Sequence, residues 1–260
     1  MKKAIITVSF GTSYPETREK TIGAVETVIA KRFSEATVFR AFTSNKVIKK
    51  IKEKEQVTIP TVDQLMVKLK EQGFQEVYLQ PLHIIAGSEY HKAVRQALKH
   101  QHLFEKVKVG VPLLDSMDDY LETAAWLKSL TAEFRKEEAL VLMGHGSQHT
   151  AFASYACLDH LLLDDPIYIC AVESYPSLEL LITRLQNHSY KTIHLYPLML
   201  VAGDHATNDM ASDEPNSWKS QLQDAGFQVK PVLKGMGEFN EIQELFAAHA
   251  AVMMGEKSDD

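Results

Sequence analysis

Apolar positions along this chain fall into short unbroken runs separated by stretches with helical spacing. Lys3-Ala4-Ile5-Ile6-Thr7-Val8-Ser9 is β-branched and continuous, as expected of a strand buried on both faces. It runs into Phe10-Gly11-Thr12-Ser13 and then a helix, where Ser13 and Glu16 have capping-box spacing and Pro15 falls in the first turn. Further strands are predicted over residues 37–42, 77–84 and 107–111. Between them lie a short helix near 46–53, one opened by Thr61 and stopped at Gly73, and one beginning beside Ser88-Glu89. After a helix from about Asp118 to Arg135 the pattern restarts. Strands are predicted over 139–143, 169–174, 193–199 and 228–232, followed by a last helix over about 241–253 and a polar tail, Gly255 to Asp260, expected to fray. Strands alternating with helices imply crossover connections and parallel sheets.

The second set of strands repeats the first. Pro197-Leu198-Met199-Leu200-Val201-Ala202-Gly203-Asp204-His205 echoes Pro81-Leu82-His83-Ile84-Ile85-Ala86-Gly87-Ser88-Glu89 at a constant offset of 116 residues. Gly144-His145-Gly146 parallels Ser9-Phe10-Gly11 at offset 135, Glu173 stands against Thr43 at offset 130, and Val229 against Val107 at 122. Two diverged halves whose loops changed length account for the drift. The expected fold is α/β, with two similar flavodoxin-like or Rossmann-like lobes, each a four-stranded parallel sheet flanked by helices, and a cleft between them. The lobes are placed at 1–124 and 125–260, with the last helix free to pack back on the first.

Composition narrows the function. With 45% hydrophobic and 24% charged residues the chain is an ordinary folded protein, and a net charge of −6 argues against a nucleic-acid partner. No apolar run reaches the length of a membrane helix. Ser9-Phe10-Gly11-Thr12 cuts short the only stretch that resembles a leader, so a cytoplasmic enzyme is expected. Cys157 and Cys170, the only cysteines, have no Cys-x-x-Cys spacing and are expected to be buried, reduced thiols. Possible homo-oligomers are left open.

Ligands of parallel α/β sheets sit beyond the carboxyl ends of the strands. That rule selects Phe10, Thr43 and Glu89 in the first half and His145, Glu173 and His205 in the second. His, Glu and His suit a borderline divalent metal, and an imidazole there is also placed for proton transfer. His145 and His149 share the zinc-protease spacing, but Gly146 follows His145 where that motif needs Glu. Gly144-x-Gly146 lacks the third glycine of a dinucleotide fingerprint, so a nucleotide-binding domain is weakly supported. The other histidines read as surface or packing residues, His83 being the nearest exception because it precedes Glu89.

These segments resemble a known family. Ser9-Phe10-Gly11-Thr12-Ser13, Leu82 to Tyr90, Met143-Gly144-His145-Gly146, Ala171-Val172-Glu173-Ser174-Tyr175-Pro176 and Pro197 to Met210 are similar to the anaerobic cobalt chelatases of cobalamin biosynthesis. The resemblance spans nearly the whole chain and is most specific in the last block. It implies a chelatase-like fold related to protoporphyrin ferrochelatase and insertion of Co²⁺, as substrate metal, into sirohydrochlorin or precorrin-2. It implies neither ATP nor an organic cofactor, and neither a nucleic-acid nor a membrane partner. By the same resemblance His145, Glu173 and His205 would hold the metal, and His145 and Glu89 would be catalytic. Phe10, Gly11, Thr12, Ser13 and Glu89 would meet the tetrapyrrole. Iron or nickel insertion into the same ring, or a carrier that binds metal or tetrapyrrole without turnover, are the alternatives.

Overall fold

A computed structural model describes residues 1–256 of the chain. Contacts divide it into two units, Met1–Asp115 with the chain from Gly237 onward, and Ser116–Met236. The 124/125 boundary expected from sequence would cut a helix. Ser116 caps that helix through its hydroxyl, which accepts from the Asp119 amide at 3.2 Å, while the Ser116 amide donates to the Asp119 carboxylate at 2.7 Å. The capped helix goes whole to the second unit.

The first unit contains β1 (Lys3–Ser9), α1 (Pro15–Arg18), α2 (Ala24–Arg32), β2 (Ala36–Phe42), α3 (Asn45–Glu55), α4 (Val62–Glu71), β3 (Glu76–Pro81), α5 (Ser88–Lys99) and β4 (Lys106–Val109). Its sheet has the order β2-β1-β3-β4, all parallel. β1 is central and buried along nearly its whole length, which explains its uninterrupted apolar run, whereas edge strand β2 is half-exposed. Ala4, Ile6, Val8, Leu65, Met66, Leu69, Val77, Leu79 and Ala93 form one side of the core. Thr61, expected to open this helix, caps α4, and the structure adds a capping box with Gln64. The box expected at Ser13 and Glu16 does not form. Pro15 occupies the first turn and the N-cap falls on Tyr14, whose amide is instead bonded to the Thr12 hydroxyl at 3.3 Å.

The second unit contains α6 (Met117–Leu130), β5 (Glu138–Gly144), α7 (Ala153–Leu161), β6 (Ile167–Ala171), α8 (Leu178–Gln186), β7 (Thr192–Leu198), α9 (Trp218–Asp224) and β8 (Gln228–Pro231). Its sheet order, β6-β5-β7-β8, repeats that of the first unit element for element. The repeat extends to the backbone. Gly11 has φ +94° and Gly146 has φ +90°, at the equivalent place after the central strand of each sheet. One offset is corrected. Ser9 pairs with Phe42 and Gly144 with Ala171, so the structural equivalent of Glu173 is Ser44 and not Thr43.

The last helix, α10 (Asn240–Met254), packs on α2 and the β3–β4 side of the first unit through buried Ile242, Phe246, Ala247 and Ala250. It ends at Gly255 with φ +97°, and Glu256 pairs with Arg32 at 2.7 Å, so this part of the tail is held. Residues 257–260 of the expected frayed tail lie outside the described residues. Both cysteines are free thiols, but only Cys170 is buried; Cys157 lies on the solvent side of α7. Among the described residues no helix is long and apolar enough to cross a membrane.

Candidate active site

The central strand β5 ends at Gly144, paired to β6 on one side and β7 on the other, so His145 emerges between two strand ends. The ladder to β6 continues past the strands. The Val172 amide donates to the Gly144 carbonyl at 3.0 Å and the Glu173 amide to the His145 carbonyl at 3.1 Å, which holds Glu173 beside His145. Gly146 has to be glycine. Besides its positive φ, a Cβ there would lie 2.8 Å from Ser174 Oγ and 2.9 Å from the Glu173 nitrogen. His205 arrives from β7 through the loop after Leu198, which the Met236 amide pins by donating to the Met199 carbonyl at 2.8 Å. Asp204 and His205 start a helical turn that widens into a π-helical stretch, Ala206–Met210. Such stretches are frequent at functional sites.

The two imidazoles that sequence reading placed 60 residues apart meet edge to face, ring centroids 4.5 Å apart and planes at 87°. Glu173 Oε2 lies 3.8 Å from His145 Nδ1. His205 Nδ1 lies 2.5 Å from Asp209 Oδ2. A ring nitrogen that donates to a carboxylate fixes the tautomer and leaves the other nitrogen as a lone-pair donor, the usual outer arrangement of a metal-bound histidine. All four side chains are roughly two-fifths to one-half exposed to solvent. Among the described residues no three such groups already stand in ligand geometry, so a shared ion requires the side chains to turn toward it. Asp209 was not singled out from sequence. Its signal is the i, i+4 spacing to His205.

Phe10, Gly11, Thr12, Ser13 and Glu89 belong to the first unit. Phe10 is exposed after β1, Thr12 is buried, and a Cβ on Gly11 would enter the Phe42 ring. Glu89 stands in the first turn of α5, where the helix dipole favours a carboxylate, and its Oε2 is 3.6 Å from Lys92 Nζ. Lys92, not picked out from sequence, also donates to the Thr43 carbonyl at 2.5 Å. The nearby Ser9 and Thr43 hydroxyls are buried without hydrogen-bond partners. His83 retains some exposed surface, but both ring nitrogens are sealed off and unpartnered, and burial pushes its pKa down to about 4.

The family model for cobalt chelatase (CbiK) matches residues 3–254. A protein named sirohydrochlorin cobaltochelatase from Salmonella typhimurium is 46% identical over 96% of this chain and 95% of its own length. The sirohydrochlorin cobaltochelatase CbiKC of Nitratidesulfovibrio vulgaris is 32% identical over 99% of this chain and 93% of its own. Among solved structures, SirB from Bacillus subtilis with Fe³⁺ aligns at TM-score 0.65 and 16% identity, covering 98% of this chain and 96% of that one, a likeness of fold. A duplicated α/β frame and a sequence match from the first strand to the last helix lead to one assignment: the chain belongs to the cobalt chelatase (CbiK) family.

Proposed function

We propose that this chain inserts Co²⁺ into sirohydrochlorin without ATP and without an organic cofactor. The observation that carries the site assignment is the meeting of His145, Glu173, His205 and Asp209 at the carboxyl ends of β5 and β6 and after β7. Insertion must strip water from the cation, present it to the pyrrolic nitrogens and remove the N–H protons. The imidazole lone pairs of His145 and His205 replace water on the ion, and Glu173 supplies negative charge beside them. Asp209 holds the His205 ring so that its outer nitrogen faces the ion. Weak, exposed ligands suit a site that must give the metal up again, in contrast to the closed shell of a structural metal. His145 and Glu89 are assigned the protons. For Glu89 the support is its place at the start of α5, equivalent to that of His205 in its own half. Phe10 to Ser13 are assigned to the tetrapyrrole.

The test is an anaerobic absorbance assay with sirohydrochlorin and Co²⁺, Fe²⁺ or Ni²⁺ in parallel. Catalytic formation of the cobalt product, abolished by His145→Ala, is the expected result. Binding of tetrapyrrole with no turnover over the uncatalysed rate would replace the enzyme by a carrier. Faster turnover with iron or nickel would change the metal, since the same donors bind several first-row ions.

A further inference from the structure

Helix α3 carries five lysines in eleven residues, Lys46, Lys49, Lys50, Lys52 and Lys54, in a chain whose net charge is −6. Its two acids are engaged: Glu53 pairs with Lys49 at 3.7 Å, and Glu55 forms a fork with Arg18 at 3.1 and 2.5 Å. Lys46, Lys50 and Lys54 stand four residues apart on one exposed stripe, and among the described residues no carboxylate pairs with them. Like charges at this spacing destabilise a helix. Lys46 adds to the cost, because it sits in a first turn that has no acid, against the helix dipole. A local cost that no carboxylate offsets points to an anionic ligand.

The start of α3 is fastened to the segment after β1. Its N-cap Ser44 donates its amide to the Phe10 carbonyl at 3.3 Å and accepts from the Val47 amide through its hydroxyl at 3.3 Å. In that segment two large aromatic residues are open to solvent, Phe10 at 48% and Tyr14 at 37%. Lys50 Nζ lies 5.8 Å from the centre of the Tyr14 ring, with Lys46 one turn earlier. Exposed rings give a conjugated macrocycle a stacking surface, and uncovered ammonium groups match carboxylate arms.

Resting on the function proposed above, we infer that Phe10, Tyr14, Lys46 and Lys50 form a subsite that holds a carboxylate-bearing edge of the tetrapyrrole. The ammonium groups draw in the polyanionic ring, and the aromatic residues lie against it. This site governs capture and orientation of the macrocycle, separately from metal binding by the second unit.

The charge-reversal variant K46E/K50E tests it beside K68E/K70E, an equal charge change on exposed positions of α4. Sirohydrochlorin affinity without metal is titrated by absorbance, and Co²⁺ insertion is followed over a salt series. K46E/K50E is expected to raise Kd and KM roughly tenfold, leave kcat within about twofold and flatten the salt dependence. Co²⁺ binding, followed by its own visible bands, stays at the wild-type level. Unchanged Kd and KM, or an equal rise in K68E/K70E, would overturn the subsite while leaving the chelatase reading standing. Wild-type protein that takes up no sirohydrochlorin overturns both.

Discussion

His205 and Asp209 are joined at 2.5 Å, Nδ1 to Oδ2, one turn apart on the segment that follows β7. Under the proposed function the carboxylate acts on the ion through the ring it orients. Asp209→Ala is expected to lower Co²⁺ affinity roughly 10–100-fold, the usual loss when a partner behind a ligand histidine is removed. Asp209→Asn, which keeps a hydrogen-bonding oxygen, should recover part of it. Titration of the Co²⁺ absorption bands measures both, and wild-type affinity in the alanine variant would remove Asp209 from the site.

Gly146 links backbone conformation to the same site. Gly146→Ala places a methyl group against Ser174 and the Glu173 amide at a positive φ, so it should cost ~1–3 kcal/mol of stability. Because the displaced atoms carry Glu173, insertion should fall further than thermal stability does. Gly73→Ala is the control. Its φ is also positive, at +75°, but nothing lies within contact distance of the added methyl, and insertion should be spared.

The sealed His83 makes stability depend on pH. Its pKa is about 4 in the fold against an ordinary 6.5. Above pH 6.5 both folded and unfolded forms are neutral and the residue contributes no pH dependence. As pH falls through that value the unfolded chain binds a proton that the folded chain refuses, so stability drops, by up to ~3 kcal/mol near pH 4. The difference between wild type and His83→Gln in urea melts from pH 7 to 4 isolates this contribution. Parallel curves would show that His83 is solvated.

Phe246 tests the partition of the chain. It is fully buried on α10, which belongs to the first unit, whereas His145, Glu173, His205 and Asp209 all lie in the second. Phe246→Ala should destabilise the protein by ~3–5 kcal/mol while Co²⁺ affinity of the folded protein is retained. Parallel loss of both, measured by denaturation and by metal titration under native conditions, would show that the proposed metal site depends on that helix.

Much of this protein is readable one segment at a time. β1 and β5 are continuous apolar runs because each is the central strand of its sheet, and α4 starts at Thr61 because a hydroxyl and a glutamine three residues on satisfy its free amides. The repeated strand-end sequences establish the duplication, and with it His145, Glu173 and His205 as residues at the ligand end of a parallel sheet. Local rules misplaced what competes locally. Pro15 moved the first N-cap off Ser13, and a one-residue difference between the halves makes Ser44, not Thr43, the counterpart of Glu173.

What tertiary structure alone decided is which of those residues touch. The 4.5 Å approach of the His145 and His205 rings depends on β5 and β7 lying side by side in register, a relation between segments far apart in the chain. Sealing of the His83 nitrogens, the tie between Ser44 and Phe10 and the exposure of Cys157 depend in the same way on what packs around each group. Periodicity and capping act over a few neighbouring residues and are written in sequence. Distances between strand ends are set by sheet register and packing of the whole unit, to which no single stretch holds the key.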